Sequence, residues 1–432
     1  MTSAPDKTRR PGYAPTTNVG VGRRGLHTRD RILACAAEAF LVNGFHSTSL
    51  DTIAKAANAS RATVYQYFAG KEDIFRELSA TAERDVLAHT ERLGGLGPTA
   101  DGLAALHSWL AEWADIYDAH AAVFAEFPGI GTARGLSVID TGDVAEAYRL
   151  QVIDRLRLAN IRGLEHDDAA AALGRIPHMV NLYRRRAMFP LPDRAVVSWS
   201  LAVAMQLMLF PDTPADVLAA AAPDDIAESD ARTSAPVSVD AAPTVATPPL
   251  SPTAQDILSV SSTLFAERGY YTVGMEEIAA ATDLSRATLY RYFSTKDKIL
   301  AELTRLAVVE IEQHAAALQR MAADSLDAWM IAYVRFHRAY RGVIRAWFDG
   351  TVAEQLSDAK VDDGIGAIHH AIGALIDTVR LPPGLHPQVA AAVFLAVLGR
   401  MSEPTAPGQP VGDERAAALM TSLLRRSLLR TT

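Results

Sequence analysis

Apolar residues recur at intervals of three and four through most of the chain, which is the spacing of one face of an α-helix. The first such segment follows Thr28, a candidate N-cap, and places Ile32, Ala36 and Phe40 on one face before Gly44 ends it. Runs rich in alanine, with few clusters of β-branched residues, favour helix over strand. The pattern therefore predicts an all-α protein.

Proline and glycine interrupt this pattern at short intervals and separate the amphipathic segments from one another. Beyond residue 70 the segments predict helices in two series of similar length. They cover 71–93, 101–120, 143–162, 167–186 and 193–210 in the first half, and 296–320, 325–341, 343–357, 361–380, 386–401 and 413–429 in the second.

The most informative pattern is an internal repeat. SRATVYQYF at 60–68 returns as SRATLYRYF at 285–293, and only Val64 and Gln66 differ from their counterparts, Leu289 and Arg291. At a fixed offset of 225 residues, 28–78 aligns with 253–303 without a gap and with 19 identities in 51 positions. Helical composition alone does not hold so many positions in register, so the module is duplicated.

Each copy of the module predicts three short helices. In the first copy Ser49 is expected to cap the second helix and Ser60 the third, with a turn of about three residues between them. Such a turn often needs a left-handed backbone, and Asn58 and its counterpart Asp283 are non-glycine residues that tolerate it. Two helices joined in this way are typical of the helix-turn-helix, whose last helix enters the major groove of DNA.

The third helix of each module divides into two faces. Val64 with Phe68, and Leu289 with Phe293, are spaced to pack on the preceding helices. The remaining positions are left for solvent or DNA, and they are Arg61, Thr63, Tyr65, Gln66 and Tyr67 in the first copy.

The combination of motifs resembles one family. ILACAAEAF and ILSVSSTLF, then NGF and RGY, IAKAANAS and IAAATDLS, and YQYFAGKEDI and YRYFSTKDKI resemble the DNA-binding domain of the TetR-like (TetR/AcrR) transcriptional regulators. The chain looks like a single-chain tandem fusion of two TetR-like units. The resemblance implies a dimeric, all-helical repressor that binds a palindromic operator and releases it when a small ligand enters the C-terminal helical domain.

The resemblance also implies DNA-contacting residues. Arg61, Thr63, Tyr65 and Gln66 would face base edges and sugars, while Tyr67 and Lys71 would hold phosphates. The matching set in the second module is Arg286, Thr288, Tyr290, Arg291, Tyr292 and Lys296. The residues alone leave alternatives open, since the tyrosines could be half-buried amphipathic rings and the two lysines ordinary solvated charges.

The organisation predicted for the whole chain is a module followed by a helical domain, twice. It comprises a flexible basic arm at 1–27, a helix-turn-helix domain at 28–75, a helical regulatory domain at 76–221, a linker rich in Pro, Ala and Ser at 222–250, a second helix-turn-helix domain at 251–300, and a second regulatory domain at 301–432. The arm arginines, Arg9, Arg10, Arg23 and Arg24, fit either a solubilising tail or a minor-groove arm.

Charge and composition refine this interpretation. The net charge is −8, yet residues 1–80 hold 11 Lys and Arg against 7 Asp and Glu, whereas 251–303 hold five against seven. The second module should therefore bind DNA more weakly. The longest apolar run, 195–210, is 16 residues and is short of the roughly 20 that a membrane span needs. With Cys35 as the single cysteine, a cytoplasmic protein is expected.

Aromatic residues recur at helical spacing in both regulatory domains. In the family such helices line a pocket for apolar or aromatic ligands, although apolar periodicity is equally the signature of a buried face. The candidates are Trp109, Trp113 and Tyr117 in the first domain and Trp329, Tyr333 and Phe336 in the second. No grouping of a nucleophile, a base and an orienting residue is recognisable, so neither an enzyme nor a cofactor or metal site is expected.

The function expected is that of a ligand-responsive transcriptional regulator that binds an imperfect palindromic operator as a pseudo-dimer within one chain. A homodimer with four modules is the alternative assembly. The alternative function is a ligand-sensing or partner-binding protein whose second module no longer contacts DNA. Gln66 pairs naturally with adenine and Arg291 with guanine, so the two half-sites should differ.

Overall fold

A computed structural model describes residues 23–126, 142–219, 250–321, 325–347, 356, 361–406, 408 and 411–430. These residues form helices and no strand, as predicted. The helices of the first half are α1 Arg23–Asn43, α2 Leu50–Ala56, α3 Arg61–Tyr67, α4 Lys71–Thr90, α5 Ala100–Ala119, α6 Ala121–Glu126, α7 Gly142–Leu156, α8 His166–Arg185, α9 Arg194–Leu209 and α10 Ala215–Ala219.

The second half repeats the first nine of these helices in the same order. They are α11 Pro252–Arg268, α12 Met275–Ala281, α13 Arg286–Tyr292, α14 Lys296–Gln319, α15 Leu326–Ala339, α16 Arg341–Trp347, α17 Val361–Ile376, α18 Pro387–Arg400 and α19 Asp413–Ser427. Most predicted bounds agree within about three residues. The helix predicted at 143–162 is shorter, because α7 ends at Leu156.

The start of α1 differs from the prediction. Thr28 lies inside this helix instead of capping it, because α1 begins at Arg23 and the nearest preceding proline that could stop a helix is Pro15. Residues 23–27 are therefore helical and not part of a flexible arm. The rest of the predicted arm, with Arg9 and Arg10, and the predicted linker up to residue 249 lie outside the described residues.

Within the described residues, buried apolar side chains form two clusters. One cluster belongs to the first module and centres on Phe40, Val64 and Phe75. The other runs through both regulatory domains and includes the core of the second module, for example Ile257 and Leu289. The second module is thus continuous with the main core, whereas the first module has a core of its own.

The two halves pack against each other through the last long helices of each. α8 contacts α18, and α9 contacts both α18 and α19. These helices are apolar on several sides, and nearly every residue of α8 from Asp168 to Tyr183 is buried. A helix that is buried around most of its circumference needs neighbours on more than one side, and the opposite half supplies them.

Buried polar contacts fix the register of this interface. The guanidinium of Arg175 in α8 donates from Nη1 to the carbonyl oxygens of Arg400 and Glu403, both at 3.2 Å, and from Nη2 to that of Pro404 at 2.6 Å. Asp168 accepts from Arg415 Nη2 at 2.6 Å on the same interface. Since charged groups that are buried without partners are costly, these contacts specify one way of joining the halves.

The described part of the chain includes no helix long and apolar enough to cross a membrane.

Candidate nucleic-acid interface

The candidate recognition helices, α3 and α13, begin at serine caps as predicted. Ser60 Oγ accepts from the backbone N–H of Thr63 at 3.0 Å, and Ser285 Oγ accepts from that of Thr288 at 3.1 Å. Ser49 also caps α2 as predicted. The hydroxyls of Thr63 and Thr288 lie within 2.8 and 2.9 Å of their serine hydroxyls, so each threonine side chain is held at the start of its helix.

The turn before each recognition helix has the predicted backbone. Asn58 has φ of 46° and Asp283 has φ of 54°, both in the left-handed region. The turn is stabilised by a hydrogen bond from Ala59 N to Ala54 O at 2.9 Å, and by the matching bond from Leu284 N to Ala279 O at 3.0 Å. The chain therefore turns the same way into both recognition helices.

The predicted division of faces is confirmed. Val64 and Leu289 are fully buried, and Phe68 and Phe293 at the ends of the two helices are buried as well. On the outer face, Gln66 and Arg291 are exposed to solvent, and Tyr290 keeps 46% of its surface exposed. An exposed large aromatic residue beside an exposed arginine provides stacking and hydrogen-bonding groups for bases or sugars.

An exposed ion pair orients the first arginine of each recognition helix. Arg61 Nη1 lies 3.3 Å from Asp51 Oδ2, and Arg286 Nη1 lies 3.4 Å from Glu276 Oε1. The arginine side chains are 60% and 69% exposed, so these pairs are weak and a phosphate can replace the carboxylate. Sequence reasoning missed both acids, although they align at the offset of 225.

Tyr65 is tied to the same arginine in the first module. The guanidinium of Arg61 lies 5.6 Å from the centre of the Tyr65 ring, and its Nη2 is 3.4 Å from the tyrosine hydroxyl. The hydrogen bond with Tyr65, followed by the charge of Asp51, raises the pKa of Arg61. Arg61 and Tyr65 therefore form one polar group on the outer face of α3.

Tyr67 and Tyr292 are half-buried and pack against the cores of their modules. Hydrogen bonds to Thr253 and then Ser251 lower the pKa of Tyr292, so this hydroxyl is directed toward the start of α11. The two rings have an apolar body and a polar tip, as the half-buried alternative describes.

Lys71 differs from its predicted role of holding a phosphate. Its Nζ donates to the carbonyl oxygens of Phe45, His46 and Thr48 at 2.8, 2.9 and 3.0 Å. An ammonium group has three hydrogens, and all three are used here. Burial lowers the pKa of Lys71, and the ammonium lies 4.7 Å from the centre of the Phe45 ring. Lys71 therefore fixes the loop between α1 and α2.

Lys296 has the same structural role in the second module. Its Nζ donates to the carbonyl oxygens of Tyr270 at 2.7 Å and Val273 at 2.9 Å, and it lies 4.3 Å from the centre of the Tyr270 ring. Burial lowers its pKa as well. The prediction failed for both lysines because their partners are backbone oxygens of a distant loop, which no side-chain pattern reveals.

The predicted ligand residues are core residues in the structure. Trp109 donates from Nε1 to the carbonyl oxygen of His89 at 3.1 Å, and Trp329 donates likewise to that of His314 at 3.0 Å. All six predicted residues, Trp109, Trp113, Tyr117, Trp329, Tyr333 and Phe336, are buried. A cavity of about 720 Å³ lies instead between α5, α9 and α10, where Leu103, His107 and Trp199 line it, and none of the six does.

The comparison with known families agrees with this geometry. Residues 32–78 and 257–303 each match the family described as bacterial regulatory proteins, tetR family. The chain carries two TetR-type DNA-binding domains. Both matches begin inside the first helix of a TetR-type module and end in the helix after the recognition helix.

Curated relatives match over one TetR-type module. The uncharacterized HTH-type transcriptional regulator YdgC of Bacillus subtilis is 39% identical over 70 residues, which are 16% of this chain and 36% of that protein. The HTH-type transcriptional regulator AcrR of Shigella flexneri is 41% identical over 59 residues, which are 14% and 27% of the two chains. The match thus spans about a third of the length of these relatives.

Solved structures that align with part of the chain include the TetR family regulator PfmR from Thermus thermophilus, with 22% identity and a TM-score of 0.33 over 40% of this chain and 98% of that chain. Another is AibR in complex with isovaleryl coenzyme A and operator DNA, with 21% identity and a TM-score of 0.32 over 39% and 96% of the two chains.

Proposed function

We propose that this protein is a transcriptional repressor whose two TetR-type modules bind the two halves of one operator. The observation that carries the proposal is that one chain presents two recognition helices, α3 and α13, with exposed polar outer faces. Operator palindromes match the twofold symmetry of the proteins that bind them, and two modules in one chain can satisfy that symmetry.

The packing between the halves supports a pseudo-dimer formed within one chain. α8 and α9 bury their apolar surfaces against α18 and α19, so this surface is already covered without a second chain. The covalent connection also keeps the halves at a high effective concentration. One chain would then occupy one operator.

The differences between the recognition helices favour an imperfect palindrome. Gln66 and Arg291 occupy equivalent exposed positions, and a glutamine suits adenine whereas an arginine suits guanine. Arg286, Arg291 and Lys298 keep the second recognition surface locally positive, although the module around them is net negative. The second module would therefore contribute a weaker half-site contact.

The proposal includes release of the operator by a small apolar or aromatic effector. The cavity between α5, α9 and α10 offers a place for such a ligand, because Leu103 and Trp199 supply apolar surface while His107 and Arg194 supply polar groups. Since α9 also packs against α18 and α19, a ligand at this cavity would act on the helix that joins the halves.

The decisive experiment is a selection of binding sites from random DNA, followed by light scattering of the protein–DNA complex. The proposal expects a mass of one chain per selected duplex. Two chains per duplex would overturn the pseudo-dimer and leave DNA binding intact. Failure to select any sequence would overturn the regulator itself.

Two matched triple variants test whether both modules bind DNA. Arg286→Ala, Tyr290→Ala and Arg291→Ala are combined in one protein, and Arg61→Ala, Tyr65→Ala and Gln66→Ala in the other. Both sets lie on the outer faces of their helices, so the fold should be retained. Each variant should shorten the footprint on its own side. An unchanged footprint for the first variant would favour a sensor whose second module no longer contacts DNA.

A further inference from the structure

The two modules meet at a pair of stacked rings from equivalent positions. The ring of His46 lies 3.9 Å from that of Tyr271, centre to centre, with an angle of 28° between the planes. Tyr271 follows His46 by 225 residues, the same offset that relates the two modules. Equivalent residues that touch each other must lie next to the pseudo-twofold axis, so this stack marks the axis at the DNA-binding end of the molecule.

Each ring belongs to a loop that is held rigidly. Lys71 binds three carbonyl oxygens of the first loop, including that of His46 itself. Lys296 binds the carbonyl oxygens on either side of Tyr271, those of Tyr270 and Val273. The lysines stand at the first residues of α4 and α14, directly after the recognition helices.

This arrangement transmits position from the stack to the recognition helices. A loop bound by two or three charge-assisted hydrogen bonds moves together with the helix that supplies the lysine. Contact between the loops therefore restricts the distance and angle between α3 and α13. The stack does not use the outer faces of these helices, since Gln66, Tyr290 and Arg291 remain exposed.

We propose that His46 and Tyr271 are positioning residues that hold the two recognition helices at one separation, so that the protein selects operators with one half-site spacing. This inference rests on the proposed function. The bundle of α8, α9, α18 and α19 joins the halves through the regulatory domains, whereas the stack joins them at the modules. Two contacts at different distances from the DNA restrict rotation of the modules, which one contact alone would allow.

The first test asks whether the rings meet within one chain, and it needs no DNA. His46→Cys and Tyr271→Cys are introduced together with Cys35→Ala, and the protein is treated with a short bis-maleimide. The expected product is a monomer with an internal crosslink. The two single-cysteine variants are the controls, and they should give no product. Crosslinked dimers, or an unlinked double variant, would overturn the proposed contact.

The second test measures affinity for operators whose half-sites are moved apart or together by one and two base pairs. Wild-type protein should prefer one spacing, and His46→Ala and Tyr271→Ala should reduce that preference by about three- to tenfold, the effect expected for loss of one aromatic pair. His46→Phe retains a ring and should retain the preference. Affinity for an isolated half-site should be equal in all variants.

The two tests separate failure of this inference from failure of the proposed function. If the alanine variants keep the spacing preference of the wild type, the positioning role is wrong and the regulator proposal stands. If no duplex binds, the regulator proposal fails, while the crosslink still decides whether the modules touch. Melting temperatures of the variants within a few degrees of wild type would show that the modules remain folded.

Discussion

The ammonium nitrogen of Lys71 lies 2.8 Å from the carbonyl oxygen of Phe45, 26 residues earlier in the chain. Two more carbonyl oxygens of the same loop accept from this nitrogen, and an equivalent lysine, Lys296, binds the equivalent loop of the second module. A residue type that usually serves to attract phosphate thus stabilises the module internally.

Replacement of this lysine should therefore affect stability before DNA binding. We expect Lys71→Met to lower the free energy of unfolding of the first module by about 2 kcal/mol, because three buried carbonyl oxygens lose a charged donor. Urea denaturation measures the change. The exposed Lys55→Met is the control and should change it little. Normal stability with weakened DNA affinity would instead support a phosphate contact.

The turn residues offer a second prediction. At Asn58, with φ of 46°, we expect Asn58→Val to cost about 1–2 kcal/mol, because a β-branched residue is strained in the left-handed region. Asn58→Gly is the matched control and should be tolerated. The same pair of substitutions at Asp283 should behave alike. Equal stability of the valine and glycine variants in thermal denaturation would contradict the strain argument.

A third prediction concerns the interface between the halves. Arg175→Met should destabilise the protein by about 2–4 kcal/mol, since the buried carbonyl oxygens of Arg400, Glu403 and Pro404 would lose their donor. Loss of this contact should also separate the unfolding of the two halves into two calorimetric transitions. Arg185→Met, an exposed arginine on the same helix, is the control. A single unchanged transition would show that the contact does not couple the halves.

The dependence of stability on pH follows from two buried histidines. Burial lowers the pKa of His89 and of His337 to about 4, whereas an unfolded histidine has a pKa of about 6.5. The unfolded chain binds protons first as the pH falls. The stabilisation is therefore complete above about pH 6.5 and is lost toward pH 4, at up to about 1.4 kcal/mol per pH unit for each residue.

Urea denaturation between pH 7.5 and 4.5 measures this loss. His89→Gln should reduce the slope, although it also costs stability at neutral pH, because His89 Nε2 donates to the carbonyl oxygen of Trp109 at 2.8 Å. His27→Gln changes an exposed histidine and should leave the slope as it is. A slope that both variants share with wild type would mean that other groups cause the acid sensitivity.

The last prediction tests which residue distinguishes the half-sites. Gln66→Arg gives both recognition helices the same polar outer face, so sites selected from random DNA should become symmetric, with about tenfold weaker binding to the original site. Val64→Leu is the matched control, since it removes the other difference between the repeats at a buried position. Selection of the original asymmetric site by the Gln66→Arg protein would exclude this position as the determinant.

The sequence by itself determined the features that depend on neighbouring residues. Helical periodicity, serine caps and the left-handed turns at Asn58 and Asp283 are local, since each involves residues within about one or two turns of helix. The duplication of the module is also explicit in the sequence. For these reasons the helices, the buried faces of α3 and α13 and most of the candidate DNA-contacting residues could be predicted.

Only the tertiary structure decided what depends on segments far apart in the chain. Lys71 and Lys296 look alike as phosphate ligands or as internal donors until the loop carbonyl oxygens are placed beside them. The stack of His46 on Tyr271 joins positions 225 residues apart, and nothing local to either ring predicts it. Packing is cooperative over the whole molecule, so the partner of a side chain is set by how the halves meet, and the periodicity of either half alone does not contain that information.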